Sequence, residues 1–298
     1  ARVFKAYDYR TFFEKLIGPG WIIYEIAFIV LLCLIMGVVG AASGSILRDS
    51  FGLPPIVGSA IFLVFVAYLT YSGSKTIEVA LSWWSYMLYA VFAVFLYLGF
   101  THFGDAISAN FAADTVKPGW QMGGFKYAFY NIAVTSTVLF SLNYLESRKE
   151  AIISGIMAAF ISILPGVFFY VVMVGFYPDV LSMEIPSNGI IAQLGVKYLL
   201  PVWLIVLFGT MIETGVGFFH SINERINSTL IQKRGVGMSN LARGAVGAFL
   251  ALMGLLISNF GLIGLIAQGY GTISWVFFIL QGVGMFTIGL YKLAKAGK

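Results

Sequence analysis

Residues 199–226 read LLPVWLIVLFGTMIETGVGFFHSINERI, a run long and apolar enough to cross a bilayer as a helix, yet Glu213 stands near its middle. Glu213, Gly217, His220 and Glu224 follow at spacings of four, three and four, so an α-helix sets them in one stripe, with Thr210 and Ser221 beside it. Such a helix cannot face lipid all round. A carboxylate at bilayer depth costs about 3 kcal/mol or more unless it is paired, protonated or hydrated, so the rest of the chain has to house this stripe.

The composition agrees with a membrane setting. Of 298 residues, 59% are hydrophobic and 10% charged, with a mean hydropathy of +0.91, whereas a soluble domain carries roughly 25% charged residues. The chain reads as an all-α polytopic membrane protein. Cys33 is the single cysteine, which excludes an intrachain disulfide and a thiolate metal site. The two histidines, His102 and His220, belong to no HExxH; there is no GxSxG and no pair of intramembrane aspartates, so no enzyme is expected.

Apolar runs of about 17–25 residues give eight spans, near 20–45, 55–71, 77–100, 125–145, 150–174, 199–224, 240–257 and 262–290. One transmembrane domain covers the chain: an amphipathic segment at 1–19, a helical bundle at 20–290 and a short tail at 291–298. Three connections are long. Residues 101–124 carry Asp105, Asp114 and Lys117; residues 175–198 carry Pro178, Asp179, Glu184, Pro186 and Asn188; residues 226–239 carry Lys233 and Arg234.

Threading the spans alternately puts every Lys and Arg on one side except Arg48, Lys117, Lys126 and Lys197. The positive-inside rule then makes that side cytoplasmic and the protein a multi-pass inner (plasma) membrane protein with both ends of the chain inside. The net charge of +5 is thereby accounted for, and nucleic acid drops out as a partner; the bilayer and a small-molecule solute remain. The oligomeric state is left open.

The fourth span carries Asn131, Thr135, Ser136 and Thr137 where a lipid-facing helix would be Leu and Val. Polar residues at mid-depth suit an unwound segment lining a cavity, which makes Asn131, Thr135 and Ser136 candidate substrate-binding residues. Hydrogen bonding back to the same helix is the plainer alternative. Gly37, Gly40, Ala41, Ala42, Ser43, Gly44 and Ser45 form a small-residue face suited to close helix packing. Trp83, Trp84, Trp120 and Trp203 fall toward span ends and are expected in interfacial belts. Pro165 is expected to kink the fifth span, and Asn259, Gln268 and Gln281 to hydrogen-bond between helices.

Three segments carry a resemblance: RTFFEKLIGPGW at 10–21, LRDSFGLPPIVGSAIFLVFVAYLTYSG at 47–73 and GTMIETGVGFFHSINERI at 209–226. With them the chain resembles the YkvI-type bacterial membrane proteins of the amino acid, polyamine and organocation superfamily. The resemblance implies the leucine-transporter-like fold, a core of five plus five helices in inverted repeats, with the eight spans corresponding to its third through tenth helices. The opening basic stretch then reads as an internal cytoplasmic segment that follows the first two core helices. The fourth span falls where the fold's broken sixth helix lies, and residues 178–195 fall where a loop helix caps the site.

In the sodium-coupled branch of that superfamily a cation meets eighth-helix residues spaced i, i+3, i+4, a spacing matched by Thr210, Glu213 and Thr214. The resemblance thus implies a Na⁺ site there, with oxygen ligands suited to a hard cation. In a proton-coupled version Glu213 takes the proton and His220 relays it. No cofactor other than Na⁺ as coupling ion is implied. The expected activity is secondary active symport, Na⁺- or H⁺-coupled, of an amino acid or organic cation by alternating access; a channel or a non-transporting membrane subunit is the alternative.

Overall fold

Backbone surrounded by lipid has no water to satisfy its N–H and C=O groups and must close its own hydrogen bonds. Every regular element among the described residues is accordingly helical. The computed structural model describes residues 1–72, 75–113, 116 and 118–296, without the side chains of 72, 75–82, 137, 138, 140, 141, 143, 228, 232 and 296. Lys117 and Lys298 of the basic set and Asp114 of the 101–124 connection lie outside the described residues, as do the side chains of Lys75 and Thr137.

The chain forms α1 (Tyr9–Ile17), α2 (Trp21–Phe51), α3 (Pro55–Ser72), α4 (Lys75–Ala112) and α5 (Trp120–Ile132). A 3₁₀ segment (Ala133–Tyr144) follows, then α6 (Arg148–Val174), α7 (Pro186–Gln193), α8 (Leu199–Arg234) and α9 (Asn240–Ser258). The closing stretch alternates α10 (Leu262–Gly264), α11 (Gly271–Phe277) and α12 (Leu290–Ala296) with π-helical turns at Leu265–Tyr270, Phe278–Val283 and Met285–Gly289.

Among the described residues, six helical stretches are long and apolar enough to cross a membrane, against the eight spans expected. The difference lies in two places. Pro55–Tyr71 is a shorter apolar helix, and the fourth span changes from α to 3₁₀ at Ala133. Two expected loops are in part helix. α4 continues through residue 112 because no Pro interrupts it, and Asn110 fixes its end by donating to the carbonyls of Val174 (2.8 Å) and Tyr177 (3.3 Å). α8 runs on to Arg234 and stops at Gly235, whose φ of 68° lets its N–H reach the Ile231 carbonyl at 2.9 Å. A short helix, α7, does lie within the 175–198 connection.

The contacts divide the chain into two units. The first comprises Ala1–Leu34, Val116–Ile163 and Gly264–Lys298. In it α1 is capped by Asp8, which accepts from the Thr11 N–H at 2.9 Å. It turns its buried face, Phe13 and Leu16, inward. Phe13 stacks on Tyr24 at 3.5 Å between ring centroids, and Lys292 donates to the Lys15 carbonyl at 2.6 Å. α5 packs on α11 and on the π-helical turn after it through aromatic rings, with Phe125 5.0 Å from Trp275 and 4.9 Å from Phe278, and Phe129 4.8 Å from Phe278.

The second unit comprises Ile35–Thr115 and Leu164–Ile263. Here the expected small-residue face of α2 packs closely. A Cβ on Gly44 would lie 2.5 Å from the Pro55 carbonyl oxygen, and one on Gly37 would run into the Ile257 side chain. The Ser59 hydroxyl donates to the Gly40 carbonyl at 2.7 Å. α4 packs on α8 through Trp84, whose ring fills the space left by Gly209. Phe95, Val172, Ile190, Ile191, Leu194, Leu199 and Trp203 form a buried cluster. Trp203, expected in an interfacial belt, is 5% exposed; its ring sits 5.6 Å from Phe95 because α7 and α4 cover it.

Close approach makes Gly44 sensitive and leaves Gly104 free. Gly44→Ala must displace backbone at Pro55 and is expected to cost about 1–3 kcal/mol. Gly104→Ala, with nothing within 4 Å of the new methyl, is expected to be neutral or to gain up to about 1 kcal/mol. Unfolding midpoints of the two variants in detergent check this difference.

Candidate functional site

The α-to-3₁₀ change in the first unit falls within the polar stretch of the fourth span. Shifting from i+4 to i+3 bonding disturbs the carbonyls at the junction, and side chains answer there. The Ile132 carbonyl accepts from the Thr135 hydroxyl at 2.6 Å and from Gln281 Nε2 at 3.0 Å. Gln281 Nε2 also donates to Thr135 Oγ1 at 3.0 Å, while its Oε1 accepts from the Tyr24 hydroxyl at 3.1 Å. Tyr24 is further bonded to Ser136.

Donors and acceptors here have one consistent assignment. Tyr24 gives its only hydrogen to Gln281 Oε1, so Ser136 donates to Tyr24. Reversing the Gln281 amide would set its oxygen against the Ile132 carbonyl, so the orientation follows from the network. Tyr24, Gln281 and Ser136 are 0%, 3% and 5% exposed. The result is a neutral knot, buried at Tyr24, Ser136 and Gln281 and open at Thr135, that joins α2, the 3₁₀ segment and a π-helical turn of the closing stretch.

Of the three expected substrate residues, the structure brings two together. Thr135 and Ser136 meet Tyr24 and Gln281. Asn131 stands apart: it is exposed, and its Nδ2 donates to the Tyr127 carbonyl of its own helix at 2.8 Å. Chemically the knot offers hydroxyls, an amide and a carbonyl, which recognise hydrogen-bonding groups; it holds no nucleophile with a base.

The stripe on α8 lies in the second unit. Thr210 donates to the Val206 carbonyl and Thr214 to the Thr210 carbonyl, each at 2.9 Å. Val206 also accepts from Trp84 Nε1 at 2.9 Å. The two hydroxyl oxygens keep lone pairs for a further contact, and Glu213 lies between them in sequence. Glu213 is partly buried and has no hydrogen-bond or ion-pair partner among the described residues.

His220 is exposed. Glu224 is held by Arg243 of α9 at 2.7 Å and accepts from Asn227 at 3.4 Å, a structural pairing. No group of three or more His, Cys, Asp or Glu among the described residues is arranged to hold a metal ion. A cation at Thr210, Glu213 and Thr214 would therefore rest on hydroxyl oxygens and one carboxylate.

Sequence reasoning missed Tyr24. Nothing local marks it: Ile22, Ile23 and Ile26 around it are exposed, and apolar neighbours in a membrane span do not tell a buried face from a lipid-facing one. Gln281 was legible as an interhelical hydrogen-bonder, but its partners were not. Comparison of the chain with protein-family models, curated proteins and solved structures finds no match.

The knot predicts coupled losses. Tyr24→Phe and Gln281→Leu should each destabilise by about 1–2 kcal/mol, and their double-mutant cycle should show a coupling near 1 kcal/mol. Asn131→Ala should stay within about 0.5 kcal/mol of wild type. Chemical denaturation in detergent measures all four.

Proposed function

We propose that the chain is a secondary active transporter, coupled to Na⁺ or H⁺, of a small solute such as an amino acid or organic cation. The observation that carries this reading is the break of the fourth span at Ala133, amid Thr135 and Ser136. A helix that leaves α-geometry amid hydroxyls gathers carbonyls and hydroxyls that a ligand can meet if it displaces the bonds from Gln281 and Tyr24, and transporters build solute sites from such interruptions. A span serving only as an anchor has no use for one.

The coupling ion acts at α8. Thr210 and Thr214 supply neutral oxygens, and Glu213 supplies a charge that no neighbour among the described residues compensates. Either Na⁺ settles there or the carboxylate takes a proton; both neutralise it and favour the conformation that holds them. His220, exposed further along α8, passes a proton onward in the second case. Under this proposal the chain belongs with the YkvI-type proteins of the amino acid, polyamine and organocation superfamily. It lies in the inner (plasma) membrane with its basic loops and both ends inside.

Reconstituted in liposomes, the full protein should accumulate solute only when a Na⁺ or proton gradient is imposed. Glu213→Gln should abolish that dependence and reduce concentrative uptake at least about ten-fold, the effect of about 1.4 kcal/mol of lost coupling. Uptake with unchanged ion dependence in the variant would remove Glu213 from the mechanism; passive single-channel currents would replace the carrier with a channel.

A further inference from the structure

Six basic residues of the first unit come from three separated stretches of chain: Arg2 and Lys5, Arg10 and Lys15, and Lys292 and Lys295. Direct bonds draw these stretches together. The Lys15 ammonium donates to the carbonyl of Phe4, which stands between Arg2 and Lys5 in sequence, and the Lys292 ammonium donates to the Lys15 carbonyl at 2.6 Å. Lys295 follows Lys292 by three residues on α12, within one turn. Counting charges loop by loop explains why basic residues gather on one side of a membrane. It does not explain why these converge from positions 277 residues apart.

The apolar side of α1 is turned into the protein. Phe13 stacks on Tyr24, and Leu16 Cδ1 lies 3.2 Å from where a Cβ on Gly289 would stand. Arg2, Lys5, Lys15 and Lys295 are exposed, and Arg10 lies over the Trp21 ring at 4.6 Å. This face therefore meets its surroundings through charge.

Acids nearby do not answer that charge. Asp8 caps α1, Glu25 accepts from the Tyr9 hydroxyl at 3.3 Å, and Glu150, which feels Arg2, accepts from the Glu146 N–H at 2.8 Å. None of the six basic residues forms an ion pair with a described residue.

The position of the cluster decides its partner. Trp21 opens α2, and the spanning stretch Leu262–Lys295 ends on Lys295, so the cluster stands where two spans meet the bilayer surface. Anionic headgroups are concentrated at that level and attract Lys and Arg. Tyr291 and Leu293, interleaved with the lysines of α12, are exposed apolar side chains, which suit acyl chains beside the headgroup and not a soluble polyanion.

We propose that Arg2, Lys5, Lys15, Lys292 and Lys295 form a docking surface for the headgroup of an anionic phospholipid, in the leaflet at this end of the spans. The proposal rests on the membrane setting and is independent of transport.

The full chain in a neutral detergent is titrated with phosphatidylglycerol or phosphatidylcholine, and bound lipid is followed by native mass spectrometry. Phosphatidylglycerol should bind more tightly, and its advantage should shrink as salt is raised. Lys5→Gln with Lys295→Gln removes two exposed ammoniums and should weaken phosphatidylglycerol about ten- to thirty-fold. Arg at both positions should bind as wild type does. Lys233→Gln with Arg234→Gln removes the same charge from the exposed end of α8 and should leave the affinity unchanged.

The proposal is wrong if phosphatidylglycerol binds no better than phosphatidylcholine, or if losing Lys5 and Lys295 changes nothing. It is wrong if the α8 pair costs as much, since net charge and not this face would then be at work. Displacement of the lipid by an equal concentration of glycerol 3-phosphate would also overturn it, because the ligand is then a free phosphate. The lipid comparison and its salt dependence are read on the wild-type protein and hold whatever the stability of the variants.

Discussion

The structure depends on the rule that backbone polar groups inside a bilayer must find partners within the protein. Long α-helices obey it automatically. Where the fourth span leaves α-geometry at Ala133, obedience requires help, and Gln281 supplies it by reaching the Ile132 carbonyl and Thr135 together. Gln281 itself sits in a π-helical turn, a local widening that re-aims a side chain at the cost of poorer backbone bonds. One distortion thus answers another, and Tyr24 closes the circuit by occupying the amide oxygen.

A different solution operates in the second unit. Apolar side chains gain little by leaving lipid for protein, so helices there associate through close approach and dispersion. Gly37, Gly40 and Gly44 on α2, Gly209 on α8 and Gly254 on α9 let neighbours come within contact of backbone. Polar atoms are then bonded at the contact itself, as with Ser59 to the Gly40 carbonyl and Trp84 to the Val206 carbonyl. Each unit uses both devices: Phe92, Phe95, Phe169 and Trp203 bring rings together in the second unit, and Gly282 admits Phe129 in the first.

The reach of each device decides what could be read without coordinates. Apolar runs and small-residue spacing are local signals, so the all-helical class and the packing role of the α2 glycines were legible. Helix ends were less so: 101–112 looks like loop because Thr101, His102, Gly104 and Asp105 are polar, yet none of them breaks a helix. The bonding at Ala133–Ser136 was legible only as an expectation of irregularity. Its partners, Tyr24 and Gln281, are 112 and 257 residues apart in their contacts with Ser136 and with each other, and spacing along a chain carries no information on such pairs. Lys126 was read as one of the few charges opposite the basic face; that its amine lies on Gly271 depends on a helix far along the sequence.

Charged groups divide by the company they keep. Glu224 and Arg243 are 2.7 Å apart and Arg48 and Glu184 3.0 Å; each charge is answered, and such pairs join elements without needing a ligand. Glu213 and Lys126 have no such answer among the described residues. For Glu213, within the long apolar helix α8, an unpaired charge is a standing cost that Gln or Met would avoid while filling similar space. A cation or a proton that neutralised the carboxylate would relieve that cost. A site that is destabilised until occupied shifts the protein toward whichever conformation admits its ligand, by as much as the two conformations differ in affinity for it. Under the proposed transport reading, that difference is what couples ion to solute.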